Sequence, residues 1–261
     1  MKWKNIILAA ALLLLPANRT SKKQYISDEI AKIFQLQEIA TNDPYITVKI
    51  SDLEWTPLYG KKSMIKGTTW GDLLWYDQAV LIMKQMGKDI KATDKVKSDD
   101  IIKMPLIYPE LRKYLPNTWY ELKQGAFKKY KEINDKDLVI VTKCKNGKHA
   151  LAYYKYGKLA FATYVSIGTT NHPTPTWKYK LRHDQKDRRS KKYNNAAMPF
   201  AIWWIWDGCF IHQGQSDGTP KSHGCVRVGG VQVKYLYETI PENSTIIIDW
   251  IYTDHTKKKT P

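Results

Sequence analysis

The residues of this 261-residue chain that are best suited to chemistry lie between positions 210 and 228. Two histidines, His212 and His223, precede Cys225 within thirteen positions. A thiol is only a few per cent ionised near pH 7, so a nucleophilic cysteine needs a base or a cation beside it. Gly224 permits a tight turn that would direct the N–H groups of Gly224 and Cys225 at a developing oxyanion. Because cysteine is often buried and histidine is often structural, the spacing alone leaves catalysis and a structural role equally open.

The order of the residues in this segment narrows the choice. It has Ile211-His212-x-Gly214 followed by Ser222-His223-Gly224-Cys225-Val226-Arg227, which resembles the signature of the L,D-transpeptidases that remodel bacterial peptidoglycan. The resemblance covers roughly residues 137 to 252. Its supporting pieces, in family order, are Ser166-Ile167-Gly168, Thr174-Pro175 and Met198-Pro199-Phe200.

The resemblance implies a role for the central residues. Cys225 would attack the carbonyl between the third residue of a stem peptide and its terminal D-amino acid. His212 would take the thiol proton, oriented by a hydrogen bond from its other ring nitrogen. Gly224 and Cys225 would supply the oxyanion-hole N–H groups. Ser222 and His223 would shape the loop, with His223 close enough to assist.

The resemblance also implies what surrounds the nucleophile and what it makes. Gly214 and Arg227 are candidate substrate-binding residues, and Arg227 would brace the loop or meet a substrate carboxylate. The thioester would pass to an amine on a second stem, which makes a 3→3 cross-link, to another amine, or to water, which is the carboxypeptidase alternative. No metal and no organic cofactor is implied.

Two features depart from the family pattern. Many members have Thr-Pro-x-Gly, whereas this chain has Thr174-Pro175-Thr176-Trp177, so the local turn is expected to differ. Gln213 and the loop 215–221 are also individual to this chain. We expect them to affect the choice of substrate.

A strongly basic segment follows the Trp177 position. Residues 178–192 hold eight Lys or Arg against Asp184 and Asp187. Most charge runs are solvated loops. The other interpretation is a lid that attracts the carboxylates of stem peptides, with Arg188 and Arg189 as substrate-binding candidates.

The N-terminus and the net charge predict the compartment. Lys2 and Lys4 precede the apolar run 6–15, which is too short to span a bilayer but matches a signal-peptide core. A buried helix is the alternative, and Leu15 makes cleavage after Ala17 a poor fit, so a retained anchor stays open. The chain carries 42 Lys plus Arg against 25 Asp plus Glu, a net charge of +17, which implies an anionic partner. Export to the periplasm or cell envelope favours peptidoglycan stem peptides over nucleic acid, with no membrane span in the mature chain.

The periodicity predicts the organisation of the chain. We expect a signal peptide at 1–20, a mostly helical region of unknown role at 21–134, a catalytic domain at 135–253 and a basic tail at 254–261. Helix caps at Ser27 and at Thr69 with Asp72 support the helical region. The catalytic domain is expected to be mainly β, an α+β L,D-transpeptidase-like β-sandwich with one helix. Its predicted elements are strands near 138–141, 151–154, 159–165, 201–206 and 245–251, a hairpin turn at Asn146-Gly147 and a helix near 231–239.

Other interpretations of the same residues remain. In papain-like endopeptidases the cysteine precedes its histidine, whereas here only His255 follows Cys225. A zinc site from His212, His223 and Cys225 has suitable ligand types but lacks paired short spacings. A non-catalytic wall-binding module would use the same charge and aromatic residues. Cys144 and Cys209 are small apolar residues or, in an oxidising compartment, a disulfide that leaves Cys225 free.

Overall fold

The structure of the chain is a computed structural model that describes residues 45–49, 91, 93–95, 97, 100–206 and 208–253. All of its elements lie in a compact unit that comprises residues 44–261. The strands are β1 (Tyr45–Lys49), β2 (Ile101–Pro105), β3 (Asp137–Cys144), β4 (His149–Lys155), β5 (Lys158–Tyr164), β6 (Trp177–Lys180), β7 (Arg182–His183), β8 (Ile202–Ile205), β9 (Cys209–Gln213), β10 (Val226–Val228) and β11 (Thr245–Thr253). The α-helices are α1 (Trp119–Gln124) and α2 (Gly230–Thr239), and two 3₁₀ turns cover Pro109–Lys113 and Lys128–Tyr130.

Two sheets pack face to face, as the predicted β-sandwich requires. The first has five strands in the order β5-β4-β3-β11-β6, and the second has four in the order β10-β9-β8-β7. Alternate residues of both sheets share one hydrophobic cluster with α2, for example Val141 of β3, Ile211 of β9 and Leu236 of α2. The mainly β fold with one substantial helix is therefore confirmed.

The hairpins of the first sheet form where the turn residues predicted them. Gly147 has φ +82°, and its N–H donates to the Cys144 carbonyl at 2.9 Å, which closes the turn between β3 and β4. Tyr156 and Gly157 both have positive φ in the two-residue turn between β4 and β5. Paired positive φ values match the right-handed twist of the flanking strands, which explains why these short connections keep the strands in register.

The outer face of the five-stranded sheet is covered by residues 104–133. Apolar side chains of this segment share a second cluster with Leu138, Ile140 and Tyr154 of the sheet. The Trp119 indole N–H donates to the Ile133 carbonyl at 2.8 Å, which ties α1 to the end of the segment. The core of the catalytic sheet thus includes residues on both sides of the predicted boundary at 134/135, which itself stays a prediction.

Much of the predicted N-terminal organisation falls outside the described residues. The signal peptide, the helix after Ser27, the capping box at Thr69 and Asp72 and the basic tail all lie there. In the described parts of 21–134, β1 pairs with β2 in a two-stranded antiparallel sheet, and the prolines separate short helical turns. Within the described residues, the helices are all too short or too polar to cross a bilayer.

The basic run 178–192 is not one continuous loop. Its first third forms β6, which pairs with β11 at the edge of the five-stranded sheet, and then β7, which pairs with β8 of the other sheet. Leu181 is fully buried between the two strands and anchors this change of sheet. The loop part of the run therefore begins at Asp184.

The possible disulfide between Cys144 and Cys209 is not formed in the structure. Cys144 belongs to the cluster beneath residues 104–133, whereas Cys209 packs against the cluster between the two sheets. The two side chains are therefore on opposite faces of the five-stranded sheet. Both cysteines pack as small apolar residues.

Candidate active site

Cys225 and His212 are brought together by neighbouring parallel strands. Val226, the first residue of β10, pairs with Ile211 of β9. This register places Cys225 beside Phe210, with His212 two positions further along β9 on the same face of the sheet. Both side chains line one cleft of about 190 Å³. The nucleophile and the base that the motif predicts thus share a site.

The surroundings of His212 determine which ring nitrogen carries the proton. Nδ1 lies 2.7 Å from the carbonyl oxygen of Gln213. A carbonyl oxygen only accepts, so Nδ1 donates and Nε2 is left as a proton acceptor. Burial, together with the positive charge of Arg227, lowers the pKa of His212 to about 4, against the opposing hydrogen bond to Gln213. His212 is therefore neutral at pH 7.

The Cys225 thiol is held in its protonated form. Burial raises its pKa, and a backbone hydrogen bond from Phe210 and the charge of Arg227 oppose that shift only in part. A protonated thiol beside a neutral imidazole differs from a preformed thiolate–imidazolium pair. It suits proton transfer to His212 at the moment of attack.

The Ser222 hydroxyl organises the turn that carries the nucleophile. It donates to the Cys225 carbonyl at 2.6 Å and accepts from the Gly224 N–H at 3.1 Å. Gly224 has φ +107°, a conformation that favours glycine. Because the Gly224 N–H is directed at Ser222, the two predicted oxyanion donors are not equivalent in this structure.

Arg227 and Gly214 contact each other at the floor of the site. A side chain at Gly214 would begin 2.8 Å from the Arg227 Cδ, so glycine provides the space for the arginine stem. The Arg227 guanidinium donates to the Lys221 carbonyl at 3.0 Å. Arg227 thus contacts the loop that precedes the nucleophile, and its charge acts on both His212 and Cys225. Its role in the reaction stays a prediction.

The loop 215–221 is fastened to the β3–β4 hairpin. Asp217 accepts from the Thr219 N–H at 3.0 Å and forms an ion pair with Lys221. The Gly218 carbonyl receives the His149 N–H at 2.8 Å and lies 3.0 Å from its ring Nδ1. The individual residues of this loop therefore give the cleft a rigid edge.

The second wall of the cleft comes from the end of the basic loop. Its lining side chains are Ser190, Tyr193, Ala196, Ala197 and Met198. Backbone hydrogen bonds from Ser190 to Ala196 and from Met198 to Arg188 close this loop on itself. This wall thus lies at and beyond the C-terminal end of the charged run 178–192. Tyr193 and Ala196 were not identified from the sequence because they belong to no chemical motif.

Arg188 and Arg189 do not line the cleft. The Arg188 guanidinium forms a largely buried ion pair with Asp184 and lies 4.6 Å from the centroid of the Phe210 ring. Arg189 donates to the Asn195 carbonyl at 3.2 Å. The geometry gives Arg188 a bracing position under the loop, while Arg189 is exposed on its surface.

His223 is held between two rings that the sequence analysis did not single out. Its ring centroid lies 4.7 Å from that of His172 and 4.6 Å from that of Tyr193. These three rings come from three separate loops and meet at the mouth of the cleft. Among the described residues, no group of three His, Cys, Asp or Glu side chains is arranged to hold a metal ion, and this includes His212, His223 and Cys225.

Gln213 combines burial with an unpartnered amide. It is 1% exposed, it lines the cleft, and within the described part of the chain neither polar atom of its side chain has a hydrogen-bond partner. A buried amide without a partner is costly. Gln213 is one position from His212 on β9, so its side chain projects from the opposite face of the sheet, the face of Ile211 and of its register partner Val228.

Part of this chain is similar to known proteins. Residues 137–248, less than half of the chain, match the family model YkuD, the L,D-transpeptidase catalytic domain. Similar solved structures include an L,D-transpeptidase (Yku) from Stackebrandtia nassauensis, with 23% identity and a TM-score of 0.42 over 51% of this chain and 64% of that chain. An L,D-transpeptidase from Mycobacterium tuberculosis H37Rv has 13% identity and a TM-score of 0.40 over 44% and 57%. The catalytic domain of an Enterococcus faecium L,D-transpeptidase has 20% identity and a TM-score of 0.37 over 45% and 99%.

This chain spans less than two thirds of the first two of these structures, and no curated protein sequence matches it. The segment that the family model matches includes the whole motif from Ile211 to Arg227 and both sheets of the sandwich. Residues 137–248 therefore belong to the L,D-transpeptidase catalytic-domain family.

Proposed function

We propose that this protein is a cysteine L,D-transpeptidase that acts on peptidoglycan stem peptides. The observation that carries the proposal is the tautomer of His212. Its Nδ1 donates to the Gln213 carbonyl, which leaves Nε2 as a base in the cleft that Cys225 lines. The family match of residues 137–248 supports the reaction class.

The chemical steps use these residues in order. His212 Nε2 takes the Cys225 proton as the sulfur attacks the carbonyl carbon after the third stem residue. The negative charge on the oxygen is stabilised by the Cys225 N–H, because the Gly224 N–H is engaged by Ser222. The imidazolium then gives its proton to the leaving amine of the terminal D-amino acid, which leaves a thioester. An incoming amine, or water, is deprotonated by His212, attacks the thioester and releases the thiol.

Substrate selection is assigned to the walls of the cleft. Gln213 would contribute to the wall of the cleft that it lines together with His212 and Gly214. The fastened loop 215–221 would define the opposite edge. Arg227 acts as a positioning residue through the loop and through the charge it places near His212.

The proposed function also requires that the protein is exported and stays close to the cell wall. A reaction on the cell wall requires the protein to work outside the cytoplasmic membrane, so residues 1–20 act as the export signal. The net charge of +17 favours association with the anionic wall polymer. The tail 254–261 would add to this attraction.

The pH dependence of the reaction follows from the burial of His212. Only the neutral imidazole accepts the thiol proton, so we expect kcat/KM to decline on the acid side with a midpoint near pH 4, not near the ordinary 6.5. Arg227→Gln removes a charge that lowers the pKa of His212 and should move the midpoint upward, whereas Arg227→Lys keeps the charge and should move it less. ¹⁵N NMR titration of the His212 ring separates its ionisation from that of substrate carboxyl groups. A ring midpoint near 6.5 in the wild-type protein would contradict this account.

The basic loop gives a prediction about ionic strength. Neutralising the exposed residues Arg189, Lys191 and Lys192 together should raise KM about three- to tenfold at low salt and less at high salt, because screening removes long-range attraction. Arg188 is left intact because its ion pair with Asp184 braces the loop. The matched control neutralises Arg112, Lys113 and Lys128, which are exposed on the segment that covers the other sheet. An unchanged KM of the loop variant at low salt would show that these loop charges do not attract the substrate.

Intact-protein mass spectrometry tests the function directly. The full-length protein is mixed with a purified tetrapeptide muropeptide, and we expect a covalent tripeptidyl adduct with release of the terminal D-amino acid. Peptide mapping should place the adduct on Cys225 rather than on Cys144 or Cys209. The soluble products show whether an amine or water resolves the thioester. No adduct and no turnover across several stem peptides would leave the wall-binding module as the better interpretation.

A further inference from the structure

His149 does not line the cleft, but it holds the loop that forms one edge of the cleft. It is the first residue of β4 and is 6% exposed. Its backbone N–H donates to the Gly218 carbonyl at 2.8 Å, and its ring Nδ1 lies 3.0 Å from the same oxygen. A carbonyl oxygen only accepts, so Nδ1 carries a proton and donates. One carbonyl of the loop 215–221 is therefore bound by two donors of one buried residue.

The surroundings of His149 determine its protonation and the direction of its ring. Burial, together with the charge of its register partner Lys143, lowers the pKa of His149 against the opposing hydrogen bond to Gly218. The ring is therefore neutral at pH 7 and has a single N–H, which it donates to the Gly218 carbonyl. Trp250 packs edge-to-face on the ring, with the two centroids 5.2 Å apart at an interplanar angle of 84°. The contact with the loop thus has one defined geometry.

The loop approaches the β3–β4 hairpin as closely as a glycine permits. Gly218 has φ +85°, and a side chain there would begin 2.7 Å from the Lys148 Cβ. Carbon atoms pack best at about 3.5 to 4.0 Å, so a side chain at position 218 would push the loop away from the hairpin. The contact therefore requires glycine at position 218 as well as a donor at position 149.

Two chains of direct contacts lead from Gly218 to Arg227. In the first, the Ser166 hydroxyl donates to the Asp217 carboxylate at 3.3 Å, and the backbones of Ser166 and Arg227 exchange hydrogen bonds of 3.1 and 2.8 Å. In the second, Asp217 forms an ion pair with Lys221, whose carbonyl accepts from the Arg227 guanidinium at 3.0 Å. Both the backbone and the charged end of Arg227 are therefore connected to the loop that His149 holds.

Arg227 and the loop act on the site from the same side. Arg227 pairs in register with His212, it lines the cleft, and its charge lowers the pKa of His212. Gln215, at the start of the loop, lines the cleft as well. A displacement of the loop would therefore change both the edge of the cleft and the position of the charge beside His212.

We propose that His149 is a positioning residue that holds the loop 215–221 against the β3–β4 hairpin and thereby sets both the edge of the cleft and the place of the Arg227 charge beside His212. This inference rests on the proposed function for its effect on the substrate. Loss of the contact would raise KM, because the edge of the cleft moves. It would change kcat little at pH 7, because His212 stays neutral there.

Two variants of His149 in the full-length protein test the contact. His149→Phe keeps a flat ring but removes the ring donor, and we expect KM for the tetrapeptide muropeptide to rise about three- to tenfold at pH 7, with kcat changed less than about twofold. The midpoint of the His212 ring in ¹⁵N NMR titration should move upward by about half a pH unit, because the Arg227 charge is less well placed. His149→Asn puts an amide N–H near the position of Nδ1 and should restore both values.

Gly218→Ala tests the same contact from the side of the loop, because the added methyl group would press on Lys148. It should raise KM and move the His212 midpoint in the same direction as His149→Phe. Gly157→Ala is the matched control. Gly157 has φ +78°, a similar conformation, but it lies beyond the other end of β4, where an added Cβ would meet nothing within 4 Å. This variant should leave both values unchanged.

The titration of His212 needs no turnover, so it separates this inference from the proposed function. If the tetrapeptide acylates Cys225 but a folded His149→Phe keeps the wild-type KM and His212 midpoint, the positioning role is wrong and the transpeptidase function stands. An equal loss in His149→Asn, or an equal shift in Gly157→Ala, would also overturn the positioning role. If no peptide acylates Cys225 but the midpoint moves only in His149→Phe and Gly218→Ala, the positioning role stands and the transpeptidase function is wrong. Should His149→Phe not fold, Gly218→Ala and Gly157→Ala decide by the same criteria.

Discussion

Replacement of Cys225 by alanine is expected to abolish the acyl-enzyme and to lower kcat/KM for release of the terminal D-amino acid by at least about 10⁴-fold. The cleft would keep its shape, because Cys225 contributes its carbonyl, not its sulfur, to the turn that Ser222 organises. Binding of the stem peptide should therefore survive. The rate is measured by chromatography of the released D-amino acid, and binding by isothermal titration.

Cys209→Ala is the control for this variant. The Cys209 sulfur lies 3.7 Å from the position that a side chain at Gly224 would occupy, so it is a second thiol within the same part of the structure. Burial raises its pKa to about 11, which leaves it protonated. We expect Cys209→Ala to reduce kcat/KM less than about threefold, since Cys209 does not line the cleft that Cys225 shares with His212. Activity that survives in Cys225→Ala but disappears in Cys209→Ala would contradict the assignment of the nucleophile.

The second largest effect is expected from His212→Ala. Without the imidazole, the Cys225 thiol, whose pKa is raised by burial, has no group to accept its proton. We expect the single-turnover acylation rate to fall by about 10³-fold at pH 7, within the range typical of general-base catalysis. The rate of the variant should then rise with pH into the alkaline range, as the thiol ionises without assistance. Quenched-flow mass spectrometry of the thioester measures both effects.

His223→Ala provides the comparison. His223 is exposed and lies between the tilted rings of His172 and Tyr193, so it contributes to the mouth of the cleft and not to the buried proton path. Its loss should lower the acylation rate by about tenfold or less, with the acid midpoint unchanged. If the acylation rate fell more in His223→Ala than in His212→Ala, His223 and not His212 would be the base.

The residues of the catalytic motif and the main strands could be located from the sequence because both depend on neighbours along the chain. Cys225, Gly224 and Ser222 belong to one turn, and a turn is specified by a few adjacent residues. Strands β3, β4, β5, β8 and β11 and helix α2 were predicted near their observed positions, since apolar period and turn residues are local signals. The hairpin at Asn146-Gly147 is the simplest case.

Such patterns could not predict the short strands or the contacts between loops. β7 has two residues and β10 has three, which is too few for any period to show, and each forms because a neighbouring strand offers it hydrogen bonds. The basic run was expected to behave as one segment, yet Leu181 divides it between two sheets. Charge along the chain does not reveal where one buried side chain anchors it.

The sequence by itself was enough to predict the reaction class, because the proposed nucleophile, the proposed base and the turn glycine are encoded as residue types in a fixed order. Only the tertiary structure decided how they work together. The Gln213 carbonyl selects the His212 tautomer, burial sets the ionisation of both partners, and Ser222 engages one oxyanion donor. The register that places Cys225 beside Phe210 likewise exists only once β9 and β10 pair. Burial and register depend on groups that meet in space from distant parts of the chain, and these meetings are products of packing rather than of local sequence.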